Sequence, residues 1–383
     1  MKERKKIMHV ISGLGNGGAE GVLYRLCKYD SKNTHIIISL TSIGKYGTLL
    51  EDEGIKVYTL NMNKNIKSFY SFITLFKTIK KEDPDLVQTW MYHADLIGGI
   101  IAKLAGIKNI FWNIRHTDLH LTHSKKTTIL IAKLCALLSN KIPKKIICCA
   151  YSSLNTHKEL GYAHDKLTVI QNGYDLSTFK HTEQDKNKLK DELKLESDIF
   201  LIGMVARYDP QKNHELLLTS FERFTKYKDE RTKLLLVGKN IDNKNNELYE
   251  LIDELGIKDK VILLGQRNDI PNFMNMIDLH VLSSSFGEGF PNVIAEAMVA
   301  KTPCIATNIG DASLIIDKNG WIINSNDNVQ QLEDALEKAY NEFSLNKDKW
   351  LIRCNNCSNS IKERFSIATM FNRYIQAWDI NDK

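Results

Sequence analysis

Two glutamates eight residues apart, Glu288 and Glu296, stand in the run Ser283-Ser284-Ser285-Phe286-Gly287-Glu288-Gly289-Phe290-Pro291-Asn292-Val293-Ile294-Ala295-Glu296-Ala297-Met298. The run reads as a strand end, a glycine turn and a helix. Spacing alone says little, because Glu222 and Glu230 are also eight apart in a charge-rich helical stretch. Setting separates the pairs. Glu296 has Val293, Ile294, Ala297 and Met298 around it, and a carboxylate in apolar company needs a partner, which ligand hydroxyls can supply. A second group, Arg207-Tyr208-Asp209-Pro210-Gln211-Lys212, follows the apolar run Phe200 to Val205. A guanidinium fork and an ammonium flanking one turn at a strand's carboxyl end suit phosphate oxygens and can neutralise a leaving diphosphate. Taken alone, such a pair also reads as ordinary surface charge.

The segment Gly13-Leu14-Gly15-Asn16-Gly17-Gly18 spells G-x-G-x-x-G after the first apolar run. A dinucleotide enzyme needs an acid at the end of the second strand, yet Ile36 to Leu40 runs into Thr41 and Ser42, which argues against a nicotinamide oxidoreductase. The loop still offers small residues and free amides to a phosphate or sugar. Asp83-Pro84-Asp85 spells the D-x-D of metal-dependent transferases but precedes a strand instead of following one. Cys354 and Cys357 form a C-x-x-C with no second ligand pair at matching spacing, so no metal site is expected. Seven cysteines without a framework fit a reducing compartment.

Such loops need strands to carry them. Apolar runs at Ile7 to Ile11, Ile36 to Leu40, Val57 to Leu60, Leu86 to Trp90, Ile110 to Ile114 and Ile146 to Cys149 alternate with helical patterns such as Ile66 to Lys80. The same alternation returns at Phe200 to Val205, Leu234 to Val237, Val261 to Leu264, Leu279 to Leu282, Cys304 to Thr307 and Trp321 to Ile323. This predicts an α/β protein of two doubly wound, Rossmann-like domains facing a cleft, with functional residues just after strands. A polar stretch from Asp175 to Asp198 places the boundary near 180, giving domains 1–180 and 181–360 and a C-terminal helical segment 361–383 with apolar residues at helical spacing. The net charge of +6 conceals an asymmetry, since residues 1–180 carry 26 Lys and Arg against 14 Asp and Glu. A basic first half meets a polyanion or is simply solvated. Lys125, Lys126, Lys133, Lys141, Lys144 and Lys145 bracket an apolar stretch, Thr127 to Leu138, which is too short to span a bilayer but could rest on anionic lipid.

The pieces Gly17-Gly18-Ala19-Glu20, Trp90-Met91-Tyr92-His93-Ala94-Asp95, Asn172-Gly173, Arg207 through Lys212, and Glu288 with Glu296 together resemble glycosyltransferase family 4, the retaining group with the GT-B fold, over nearly the whole chain. The resemblance implies that Arg207 and Lys212 hold the donor diphosphate, Glu288 touches the donor sugar, and Glu296 binds the ribose. It places His93 beside the transferred sugar. Gly17, Gly18, Asn268, Ile270, Gly289, Phe290, Asn292 and Val293 would complete the donor site, Asn268 and Ile270 near the base and mainly through backbone groups. The expected reaction moves a hexose-type sugar from a nucleotide diphosphate, with UDP as the expected nucleotide, to a glycan or polyprenyl-diphosphate-linked acceptor of a cell-surface polysaccharide such as lipopolysaccharide or capsule. No cofactor, metal or nucleic acid is expected. The expected setting is the cytoplasm, at the inner face of the plasma membrane. A sugar-nucleotide epimerase of the same fold is the alternative.

Overall fold

The computed structural model describes residues 4–62, 68–119, 124–179, 183–196, 198–226 and 231–378. Contacts divide the chain into two units, Met1–Gly173 with Ile367–Lys383, and Tyr174–Ser366. The division falls a few residues before the expected boundary at 180, which itself lies outside the described residues.

In the first unit β1 (Lys6–Ile11), β2 (Thr34–Ser39), β3 (Lys56–Thr59), β4 (Leu86–Trp90), β5 (Ile110–Ile114), β6 (Lys145–Cys148) and β7 (Leu167–Val169) form a sheet in the order 3-2-1-4-5-6-7. All of its pairings are parallel. Strands buried on both faces are rich in apolar residues, which is why β1, β4 and β5 were legible although each also buries polar side chains, His9, Gln88 with Thr89, and Asn113. β7 was not, because three half-buried residues give no run to read. One face of the sheet packs the helices Ser68–Glu82, Tyr92–Leu104 and Lys126–Leu138 around Met8, Val10, Val87 and Trp112. The other packs the helices Gly18–Tyr29, Gly44–Asp52 and Ile367–Ala377 around Ile7, Ile11, Trp90 and Phe111.

The C-terminal segment differs from expectation in one respect. Ile361 to Arg364 end the helix Lys347–Arg364, and the chain breaks at Phe365 and Ser366 before a separate helix, Ile367–Ala377, begins. That last helix buries Ile367, Met370, Phe371 and Tyr374 in the first unit's core, and Trp378 beyond it donates from its indole nitrogen to Gln88 Oε1 at 2.8 Å.

In the second unit β8 (Phe200–Val205), β9 (Thr232–Val237), β10 (Val261–Leu263), β11 (Leu279–Leu282), β12 (Cys304–Thr307) and β13 (Trp321–Ile323) follow the order 10-9-8-11-12-13, again parallel. Phe200, Ile202, Leu234, Leu236, Leu279 and Val281 centre the core. The polar stretch expected as linker contains a helix, Glu183–Glu192. In each unit parallel pairing brings the strands' carboxyl ends to one edge, where the crossover loops begin.

Candidate active site

In the second unit the loop after β8 meets the loop after β11. Lys212 Nζ lies 2.5 Å from Glu288 Oε1, and the Ser284 hydroxyl donates to the same oxygen at 2.6 Å. Glu288 is buried, and both side chains of the pair are largely shielded from solvent. A charge pair in such a setting is strongly coupled, and removing either partner leaves the other buried and uncompensated.

The neighbouring residues fix the two loops to each other. Asp209 caps the short turn Pro210–Lys212 by accepting from the Gln211 amide at 3.0 Å. Asn213 adopts the left-handed conformation, φ +48°, and its side chain spans three places: it accepts from the Leu216 amide at 3.1 Å and donates to Ser285 Oγ at 2.8 Å and to the Asn326 carbonyl at 2.9 Å. The Ser285 amide donates to the Gln211 carbonyl at 2.8 Å. Gly310, at φ +64°, lies so close that an added Cβ would fall 2.3 Å from the Glu288 carbonyl, so the loop after β12 admits no side chain here.

Arg207 behaves differently from Lys212. Its guanidinium is about half exposed and is held within its own turn, by Asp209 Oδ2 at 3.1 Å and Gln211 Oε1 at 2.9 Å. Asn292 opens the helix Asn292–Val299 and accepts from the Tyr174 hydroxyl at 2.5 Å, while Phe290 stacks on Tyr174 and meets Phe365 edge-on. At the start of this helix the Ile294 amide donates to the Pro291 carbonyl at 3.2 Å. Val293 and Glu296 are half-buried on it, and the Gly289 carbonyl accepts from Asp311 at 2.8 Å. Beyond β10, Asn268 is exposed and Ile270 starts the helix Ile270–Met276, beside a two-pronged Arg267–Asp269 pair at 2.8 and 2.7 Å.

The expected residues of the first unit lie at its own carboxyl edge. Gly17 is the residue before, and Gly18 the first of, the helix Gly18–Tyr29 after β1. His93 is exposed in the first turn of the helix Tyr92–Leu104, after β4. Met91 just before it has φ +70°, a strained conformation for a side chain of this size, of the kind that collects at functional sites. Below it Asp95 is buried, accepts from the Thr89 hydroxyl at 2.5 Å, and has a second oxygen without a partner among the described residues. Burial pushes its carboxyl well above the usual range.

Residues that sequence reasoning left without a role also gather at these edges. His116 follows β5, lies edge-on to Tyr92 at 6.2 Å and within 3.2 Å of the Ser124 hydroxyl, and burial lowers its pKa. Arg115 stacks on Trp90 at 4.8 Å and donates to Asn172 Oδ1 at 2.5 Å and to the Tyr374 hydroxyl at 2.7 Å. Ser284, Asn213 and Gly310 belong with them in the second unit. The signal that could have found them was position, four of the five falling within three residues of a strand's carboxyl end and Asn213 eight residues past β8.

Among the described residues one group of metal-ligating side chains comes together, the buried His9, Cys27 and His35. Hydrogen bonding argues against its holding an ion. The Trp90 indole, a donor only, gives its proton to His9 Nδ1 at 3.1 Å, which leaves the proton of the neutral ring on Nε2, directed at His35 Nδ1 at 3.0 Å. His35 Nε2 then donates to Asp30 Oδ2 at 3.1 Å. Both ring lone pairs are thereby occupied. Burial keeps His9 neutral, and although burial opposes it, hydrogen bonds from His35 and Asn33 hold Asp30 down to about 2.

The chain matches two family models, one described as Glycosyltransferase Family 4 over residues 16–178 and one described as Glycosyl transferases group 1 over residues 185–353. It is 31% identical over 312 residues to the UDP-Gal:alpha-D-GlcNAc-diphosphoundecaprenol alpha-1,3-galactosyltransferase of Escherichia coli, an alignment covering 79% of this chain and 77% of that one. It is 25% identical over 319 residues to the capsular polysaccharide biosynthesis glycosyltransferase CapH of Staphylococcus aureus, covering 80% and 82%. Among solved structures, Anabaena Alr3699/HepE in complex with UDP superposes with a TM-score of 0.85 at 22% identity, over 98% of this chain and 100% of that one.

Proposed function

This chain belongs to glycosyltransferase family 4 and has its GT-B fold, and from that premise we propose that it moves a hexose-type sugar from a UDP-sugar to a lipid-diphosphate-linked glycan during assembly of a bacterial surface polysaccharide. The observation that carries this reading is the buried Lys212–Glu288 pair at the carboxyl edge of the second sheet, beside the N-terminus of the helix Asn292–Val299. A diphosphate entering there gives Lys212 a second anionic partner, and Glu288 becomes available to the sugar hydroxyls. The names of the relatives support the substrates: the Escherichia coli protein uses UDP-Gal and a diphosphoundecaprenol acceptor, and the Anabaena structure holds UDP.

In the proposed step an acceptor hydroxyl attacks the anomeric carbon on the face the diphosphate leaves. The carbon–oxygen bond to phosphate breaks, the bond to the acceptor forms, and the leaving phosphate oxygen takes the acceptor proton. Configuration is retained and no protein nucleophile is used. Lys212, the helix amides and Arg207 stabilise the departing charge, so that positioning and electrostatics carry the rate, without a bound metal. His93 and His116, on the first unit's edge, serve the acceptor side.

The test is incubation of the protein with a panel of UDP-sugars, with and without a polyprenyl-diphosphate-linked glycan, in the presence and absence of a chelator. A new α-linked product that forms only with the lipid-linked acceptor, and survives chelation, is expected. Donor consumption without acceptor would favour the epimerase reading, and turnover abolished by the chelator and restored by magnesium would overturn metal independence.

A further inference from the structure

The helix Tyr92–Leu104 carries an acid in an unusual place. An acidic side chain in a helix's first turn ordinarily stays in water and meets the helix dipole, yet Asp95 is 1% exposed. Its carboxyl is directed at the two neighbouring strands instead. Oδ1 accepts from the Thr89 hydroxyl of β4 at 2.5 Å and from the Asn113 amide of β5 at 3.3 Å. Two backbone bonds close a ring: the Met91 amide donates to the Asn113 carbonyl at 2.9 Å, and the Asp95 amide donates to the Met91 carbonyl at 2.9 Å. Met91, at φ +70°, is the corner of this ring, and a strained backbone persists only where its surroundings over-determine it.

The ring adjoins both histidines of this edge. His93 stands inside the turn that the Asp95 amide closes, and His116 lies three residues beyond Asn113, its ring edge-on to that of Tyr92 at 6.2 Å. The second unit is the internal control. There β11 and β12 take the places of β4 and β5 in the winding, yet the helix Asn292–Val299 has no acid in its first turn, and the Thr307 hydroxyl ties the junction by donating to the Ser284 carbonyl at 2.6 Å. The winding itself therefore does not require a buried carboxyl at this point.

We propose that Asp95 is a positioning residue, which ties the turn after β4 to the end of β5 and so holds His93 and His116 in one fixed relation at the carboxyl edge of the first unit. A carboxyl left half satisfied in a core is a poor source of stability, and Oδ2 has no partner among the described residues. What the ring supplies is geometry, at an edge where a displacement of about 1 Å costs on the order of 100-fold in rate. The effect on sugar transfer rests on the reading above, whereas the fixing of the two rings does not.

The test replaces Asp95 in the full chain and reads both the rate and the two rings. Asp95→Ala should lower kcat for transfer to the lipid-linked acceptor by about 10- to 100-fold, with KM for the UDP-sugar changed less than about two-fold. Asp95→Asn, whose amide oxygen can accept the same two bonds, should keep kcat within about three-fold. Thr89→Val, which removes only the hydroxyl, should fall between them, and it carries both readouts if Asp95→Ala does not fold. Independently of turnover, nuclear magnetic resonance of isotope-labelled histidine, assigned with His93→Gln and His116→Gln, should show the signals of His93 and His116 shifted in Asp95→Ala and restored in Asp95→Asn, while those of His214 and His280 in the second unit stay in place. A wild-type chain that transfers no sugar would sink the functional reading and leave these signals to decide the present one. A kcat for Asp95→Ala within about two-fold of wild type, a loss confined to donor KM, an Asp95→Asn loss equal to that of Asp95→Ala, unmoved signals of His93 and His116, or signals of His214 and His280 that shift with them would overturn the proposal.

Discussion

The first six strands of the seven-stranded sheet, 3-2-1-4-5-6, are wound as the six of the second sheet, 10-9-8-11-12-13, yet the two sheets end in opposite chemistry. After β1 the chain enters Gly13 to Gly18, a loop with no charged side chain; after β8 it enters Arg207 to Lys212, with two cations, a capping Asp209 and a buried tie to Glu288. The first loop can act through backbone and the uncharged Asn16 amide, the second through charge. One topology thus supplies two edges of equal geometry, and the loop that follows the central strand decides which partner each can hold.

Lys212→Ala should have the largest effect. It removes the charge proposed to meet the diphosphate and leaves Glu288 buried beside Ser284 without its cation, so the transfer rate should fall by about 10²- to 10³-fold while circular dichroism is unchanged. The matching change in the other loop, Gly17→Ala, meets only the flexible tip of Glu20 at an ordinary φ of −126°, so the fold should tolerate it. A rate loss there beyond about ten-fold would report close approach of a ligand to backbone, and a loss as large as that of Lys212→Ala would break the contrast between the edges.

Gly310→Ala comes next. The residue's φ of +64° and the Glu288 carbonyl 2.3 Å from an added Cβ leave no room, so roughly 1–3 kcal/mol of stability should be lost in denaturant titration, together with activity, because the loop that shifts is the one carrying Glu288.

How much of this was legible depends on reach along the chain. The apolar runs of β1, β4, β8 and β11 were readable because parallel strands are buried on both sides, and the loops after them could be placed by position. Helix breaks and short strands were not: β7 is three half-buried residues, and the stop at Phe365 and Ser366 lies inside one continuous helical pattern. Among site residues, Lys212 and Glu288 belong to two separate motifs, Arg207 through Lys212 and Glu288 with Glu296, and nothing local announces that side chains 76 positions apart meet at 2.5 Å. Nor does anything local separate Arg207, tied to its own turn, from Lys212, tied across the site. Tertiary pairing decides that, and a linear pattern does not encode it. Arg207→Ala should accordingly reduce transfer less than Lys212→Ala, by about ten-fold, and a loss equal to that of Lys212→Ala would show that its guanidinium leaves Asp209 on donor binding.

Two buried histidines carry the comparison into the cores. His9 in the first unit sits in a relay from Trp90 to Asp30, while His214 in the second is buried beside Tyr208 with neither ring nitrogen bonded among the described residues. Replacing both by phenylalanine separates their roles. His9→Phe orphans the Trp90 indole and His35 and should cost about 2–4 kcal/mol. His214→Phe removes two unsatisfied buried atoms and should cost under about 1 kcal/mol, or stabilise. The pH dependence follows with its sign: burial, then the charge of Lys212, holds His214 down at about 4, below its unfolded value near 6.5. The unfolded chain therefore takes up a proton first as pH falls, so the neutral ring's stability is full above about 6.5 and is lost between there and about 4. His214→Phe should flatten that limb of a Tm-against-pH curve by a few degrees, and an unchanged slope would mean that the ring is solvated or bonded in solution.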